Sequence, residues 1–177
     1  MPLWLATGVV VRGWSLTTGG GAEDGIAVIR RGLADYRATG SKLFSSYFLA
    51  LLADAYGRAD QAAIGLRLLA DALNGVERTG VRWNEAELHR LRSELLLALP
   101  QPDKAKVEKC LRQAVAGARE QDAKMWELRA ATSLSRLWAG QGRRAMAHDL
   151  LAPIYGWFTE GFETADLRDA KALLDEL

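Results

Sequence analysis

A shift of 40 residues brings this 177-residue chain into register with itself. Phe48, Leu51 and Ala55 then align with Leu88, Leu91 and Leu95, and those with Leu128, Ala131 and Ser135. The match is a pattern of large and small side chains rather than identity, and Ala53, Ser93 and Ser133 share one small position. Two helices of a pair approach closely only where one offers a short side chain. A second series repeats as well: Ile26 to Gly40 (IAVIRRGLADYRATG) is similar to Ile64 to Gly80 (IGLRLLADALNGVERTG), each closing on a glycine suited to a left-handed helix terminus. Gly40, Gly80, Ala123 and Gly161 mark periods of 40, 43 and 38 residues. A unit of that length cannot bury its apolar face alone, and stacking on its neighbours makes a continuous core.

The units read as pairs of helices. Four prolines, few β-branched runs and long Ala/Leu/Arg/Glu stretches point to an all-α chain. Breakers at Gly19 to Gly21, Gly40, Gly57, Gly80, Pro100 to Pro102, Gly140 to Gly142 and Gly161 separate segments of helix length. The spacing predicts helices over about 3–17, 23–39, 42–56, 60–78, 84–99, 103–121, 124–139, 143–158 and 164–176. The expected architecture is an α-solenoid of about four antiparallel helix pairs plus a C-terminal capping helix. In that last helix Leu167, Ala170, Leu173 and Leu174 form one apolar face and charges cover the rest. Thr164 is expected as its N-cap, with Asp166 in its first turn.

Composition narrows the functional classes. A 49% hydrophobic chain of this length can bury about 70% of its unfolded surface in one domain, expected over residues 1–177. With 23 basic and 22 acidic residues, the net charge of +1 offers no field for nucleic acid or an anionic membrane. The apolar runs Leu3 to Val11 and Phe48 to Ala53 are too short to span a bilayer, and no basic stretch precedes the first to make a signal peptide. A cytoplasmic location is expected. Cys110, the lone cysteine, falls in the helical pattern VEKCLRQAV, where a small buried apolar residue is the ordinary reading. The apolar start MPLW suggests a segment of a larger polypeptide.

No constellation for catalysis, a cofactor or a metal emerges. Gly19 to Gly21 lacks the lysine that would reach a phosphate and reads as a helix connector. His89 and His148 have no cysteine or carboxylate at metal-ligand spacing, and no G-x-S-x-G marks a nucleophile. Paired carboxylates arranged for a metal-dependent cyclase are missing too. Arg143 and Arg144 are too few for a nucleic-acid footprint. The chain is therefore expected not to be an enzyme.

One polar pattern remains. Glu87, Arg90 and Glu94 fall at i, i+3 and i+7 beside the Leu88/Leu91/Leu95 stripe. Asp54 is equivalent to Glu94, and Glu127 to Glu87. These five residues form either a polar stripe on the concave face, open to a protein or peptide, or an ion-pair ladder on a solvated face. Trp126, Trp138, Tyr155, Trp157 and Phe158 crowd the last helix pair, either as packing between repeats or, if several are exposed together, as a platform.

Glu85 to Leu97 (EAELHRLRSELLL), Ala123 to Trp138 (AKMWELRAATSLSRLW), Gln141 to Pro153 (QGRRAMAHDLLAP) and Ile154 to Leu177 (IYGWFTEGFETADLRDAKALLDEL) carry a resemblance. From about Tyr47 to Leu177 the chain resembles the C-terminal tetratricopeptide-like (TPR-like) region of large bacterial signalling proteins. Those proteins place a class III adenylate/guanylate cyclase domain, or a DNA-binding domain, before a STAND-type ATPase module and then this region. Ser93 stands where the pattern expects glycine, and serine is still small. The resemblance implies a non-catalytic regulatory segment that binds proteins, or alternatively one that senses a small-molecule effector, with no cofactor of its own.

Overall fold

The computed structural model describes residues 2–177. Among them are nine α-helices and no strand: α1 (Leu3–Thr18), α2 (Ala22–Ala38), α3 (Ser45–Arg58), α4 (Ala62–Thr79), α5 (Glu85–Leu97), α6 (Lys104–Glu120), α7 (Lys124–Ala139), α8 (Arg144–Tyr155) and α9 (Ala165–Glu176). The chain forms two compact units. The first holds the residues up to Asn84 with Glu94–Asp103, and the second holds Glu85–Ser93 with Lys104–Leu177, so the division runs through α5.

In the first unit α1 packs antiparallel on α2, and α3 on α4. Small residues set the closeness of both pairs. A β-carbon on Gly25 would stand 2.6 Å from the Gly13 carbonyl oxygen, and one on Gly13 would stand 2.8 Å from the Ile29 amide nitrogen. A β-carbon on Gly65 would lie 2.8 Å from the Ala53 carbonyl oxygen. Backbones this near leave no room for any other residue. Between the pairs, Val10, Ile29, Leu33, Tyr36, Phe48 and Leu52 form one buried cluster, with Tyr36 set edge-on to Phe48 at 4.8 Å.

In the second unit α6, α7, α8 and α9 pack in succession, and α9 contacts both α7 and α8. Leu111, Leu128, Leu134, Leu151 and Leu167 are buried there, and the remaining faces of α9 carry Arg168, Asp169, Lys171 and Asp175 into solvent. The Ser135 hydroxyl donates to the Ala147 carbonyl at 2.9 Å, so the small buried residue that joins α7 to α8 is Ser135. The small position thus slides by two residues, from the expected Ser133 to Ser135. The half-buried Ser133 lies off that contact.

Three other expectations are corrected. Helix α3 starts at Ser45 rather than residue 42, because the Tyr36 hydroxyl accepts from the Phe44 amide at 3.0 Å and bonds Ser41 at 2.8 Å, holding the intervening residues in a turn. Gly40 and Gly80 take the left-handed conformation as expected, and Asp122 (φ 50°), just before the period marker Ala123, takes it too. Helix α8 ends at Tyr155, leaving Trp157 and Phe158 in the segment beyond it. Thr164 does occupy the N-cap of α9, but its hydroxyl donates backwards to the Gly161 carbonyl and caps no helix amide.

Candidate functional site

The helices α1, α3, α5 and α7 are the first members of their pairs, α9 follows the last pair, and within each unit polar side chains join neighbouring helices of this series. In the first unit the Trp14 indole on α1 donates to Asp54 Oδ2 on α3 at 2.7 Å, and Arg58 donates to the same oxygen at 3.0 Å. Asp54 is therefore held between two donors on two helices, with its side chain mostly covered. Glu94, in the last turn of α5, is exposed.

The second unit carries a longer chain of such contacts. Arg90 grips Glu87 with two hydrogen bonds, at 2.7 and 2.8 Å, within α5. Both residues are buried, so this is a forked, charge-assisted pair shielded from water. Ser93 then donates to the Arg90 carbonyl at 2.6 Å, which accounts for a polar residue at the small position. Arg129 of α7 reaches Glu87 at 3.0 Å and Asp166 at the start of α9 at 3.4 Å, with its guanidinium 5.3 Å from the centre of the Trp126 ring. A half-exposed arginine on the middle helix thereby spans three successive helices of this series. Arg136 and Asp169 add a looser contact at 3.7 Å between α7 and α9.

Glu127, two residues before Arg129 on α7, is also buried. It accepts from Arg119 of α6 at 2.6 Å and from Lys124 at 3.4 Å. Of the five residues expected on an open or solvated stripe, Glu87, Arg90 and Glu127 are thus covered, Asp54 is largely covered, and Glu94 alone is exposed. An i, i+3 ion pair does form within α5, but beneath the surface. Arg129, Asp166 and Trp14 complete these contacts and escaped the sequence reading. The available signal was the repeat itself, since Trp14 and Asp54 are 40 residues apart and Glu87 and Arg129 nearly so.

The aromatics divide by position. Trp138 is buried, with Arg112 and Arg143 stacked on it at 5.0 and 5.2 Å. Both arginines also bond Glu108, Arg143 at 2.6 Å and Arg112 at 2.8 Å, so that α6, α7 and the start of α8 meet at one carboxylate. The Arg143 hydrogen bond, with the Trp138 and Arg112 contacts, lowers the Glu108 pKa to about 2, outweighing the opposing effect of partial burial. Trp157 is 59% exposed, stands edge-on to Phe158, and has Lys124 5.8 Å from its ring centre. It departs from the expectation of packing between repeats.

Among the described residues no group of three or more His, Cys, Asp or Glu side chains is placed to hold a metal ion. Burial lowers the His89 pKa, Arg92 adds to the effect and Glu85 opposes it. Burial raises the Cys110 thiol, which lies in the core as its pattern indicated. No helix among the described residues is long and apolar enough to cross a membrane.

No family model and no curated protein matches the chain. Solved structures do. The nearly identical TPR-like repeats of a kinesin light chain candidate from Podosopora anserina superpose with a TM-score of 0.72 at 14% identity, covering 99% of this chain and 86% of that one. A single-substitution form of the same repeats gives 0.70 at 14% identity, over 96% and 83%. At that identity the likeness establishes the fold, which is a TPR-like helical repeat.

Proposed function

We propose that the chain is a non-catalytic, protein-binding repeat domain spanning residues 1–177, which regulates a cyclase or ATPase signalling module of the same larger polypeptide. The observation that carries the reading is the Arg129 bridge from Glu87 to Asp166. It orders a row of donors, acceptors and the Trp126 ring on this series of helices before any partner arrives. A preordered surface loses less side-chain entropy when a peptide or protein settles on it. In this reading Arg129 and Asp166 of the second unit meet the partner, while Glu87, Arg90 and Glu127 of the same unit hold the side chains around them; in the first unit Asp54 and the exposed Glu94 are candidate contacts of their own. Repeat folds lend themselves to this use because successive helices offer an extended surface for a helix or an extended segment. The link to a cyclase or ATPase rests on the resemblance carried by Glu85 to Leu97 and Ala123 to Trp138.

The experiment is a pull-down in which the immobilised chain is offered purified class III cyclase and STAND-type ATPase modules, alongside a variant carrying Arg129→Ala and Asp166→Ala. Retention by the native chain and loss from the variant support the reading. No retention of either module at high micromolar concentration removes the proposed attachment.

A further inference from the structure

A cleft of about 380 Å³ opens in the first unit among the second helices α2 and α4 and the start of α3, away from the Trp14–Asp54 contact. Three cations line it: Arg37 from the last turn of α2, Lys42 from the turn that follows, and Arg78 from the last turn of α4. Asp71 is the single acid, and Ser45 and Thr79 add hydroxyls. Among the described residues no ion pair holds the three cations, whereas Arg58, Arg90 and Arg129 are each held by a carboxylate. Arg37 and Arg78 also meet the negative ends of their own helices, but Lys42 lies outside any helix. Helix α3 begins there, but its Ser45 amide is already bonded to the Lys42 carbonyl at 3.1 Å, so the cationic side chains supply the donors of the cleft.

The floor points the same way. The glycines at the helix crossings, Gly13, Gly25 and Gly65, are demanded by backbone contact, but Gly75 on the cleft wall has nothing within 4 Å of where a β-carbon would stand. A glycine inside a helix weakens it, and here the space that its missing side chain leaves is the cleft itself. Behind the wall, Ser46 donates to the fully buried Asn84, whose amide nitrogen has no partner of its own.

We infer that this cleft binds a carboxylate of an acidic peptide segment. The arginines present forked donors that match carboxylate geometry, and Lys42 adds a point charge. Leu49 and Val81 form apolar walls that take an aliphatic side chain next to the carboxylate. Asp71 keeps the site from being uniformly positive and accepts a backbone amide of the peptide. The inference rests on the protein-binding reading above and assigns it a second surface and a ligand chemistry.

The test uses fluorescence anisotropy of a labelled ten-residue peptide of alternating glutamate and leucine, with glutamine–leucine and lysine–leucine peptides and free succinate as further arms. The native chain is expected to bind the glutamate peptide with a Kd on the order of 100 µM, weakening as salt rises. Joint replacement Arg37→Ser, Lys42→Ser, Arg78→Ser removes exposed charges and one exposed hydrogen bond, from Arg78 to the Asn74 carbonyl, and should weaken binding at least about tenfold with unchanged helical circular dichroism. Gly75→Leu, which fills the cleft and leaves every charge in place, should do the same. Equal binding of the glutamine peptide, equal binding by either variant, or no binding up to millimolar peptide overturns the inference. Succinate binding as tightly as the peptide overturns the peptide assignment. Because both variants keep Arg129 and Asp166, the pull-down of signalling modules is expected to survive in them, so failure of one reading is separable from failure of the other.

Discussion

Arg129 stands 3.0 Å from Glu87, a residue that Arg90 already holds from within its own helix. One buried carboxylate therefore serves two guanidiniums from two repeats. Burying a charge is costly unless it is paired, so the three residues depend on one another unequally.

Replacing Arg90 with alanine should destabilise the fold by about 3 kcal/mol, because it strips the forked partner from a buried carboxylate. Arg129→Ala, which removes a half-exposed partner, should cost about 1 kcal/mol. Combining Glu87→Gln with Arg90→Ala should be milder than the sum of the single changes, since no uncompensated charge remains. Urea unfolding of the native chain, Glu87→Gln, Arg90→Ala and the double variant gives the coupling directly, and simple additivity would show that the pair is not coupled.

Glycine substitutions should separate into two groups. Gly25→Ala and Gly65→Ala force a β-carbon against a carbonyl oxygen of the facing helix and should each destabilise by about 2 kcal/mol or more. Gly75→Ala meets open space and should be neutral or stabilising by up to about 1 kcal/mol through its helix propensity. Thermal melts of the three variants decide this.

Glu108 makes the fold sensitive to strong acid. Its folded pKa is about 2, below the ordinary 4.5, so the unfolded chain takes up the proton first as pH falls. The stabilisation is complete above about pH 4.5 and drains away between there and about pH 2. Glu108→Gln should cost about 1 to 2 kcal/mol at neutral pH and flatten the loss over that interval. A variant that melts in parallel with the native protein from pH 5 to 2 would show that the Arg143 and Arg112 bonds contribute nothing.

His89 should act in a milder window. Burial lowers its folded pKa from 6.5, so the unfolded state binds the proton more readily and stability declines as pH falls below about 6.5. His89→Gln, which does not titrate, should remove this slope and leave the Glu108 region intact. Melting temperatures taken from pH 7.5 to 5 on both proteins provide the measurement.

Much of the fold was legible as punctuation. The glycines at 40 and 80 do close helices in the left-handed conformation, and the apolar stripes between the breakers are buried. Local chemistry suffices there, because a helix terminus and a 3.6-residue stripe are properties of a dozen neighbouring residues. The late start of α3 was not legible, since the Tyr36 hydroxyl that holds Phe44 comes from the preceding helix. Nor was the slide from Ser133 to Ser135, because the α5–α6 connection is longer than its counterparts and the chain pairs by contact rather than by a strict period.

The candidate polar residues show the same boundary more sharply. A glutamate followed three residues later by arginine looks identical on an exposed helix face and on a buried one. Burial of Glu87 and Arg90 accompanies the arrival of Arg129 from the next repeat, and that of Glu127 the arrival of Arg119 from the preceding helix. The repeat length and the helix pairs were determined by the sequence, through rules that act within a turn or two of helix and recur from repeat to repeat. Which acidic groups are shut away, which tryptophan faces water, and where three cations meet over an open glycine were decided by tertiary structure alone. Those outcomes depend on the distance between side chains far apart in the chain, and no local pattern contains that distance.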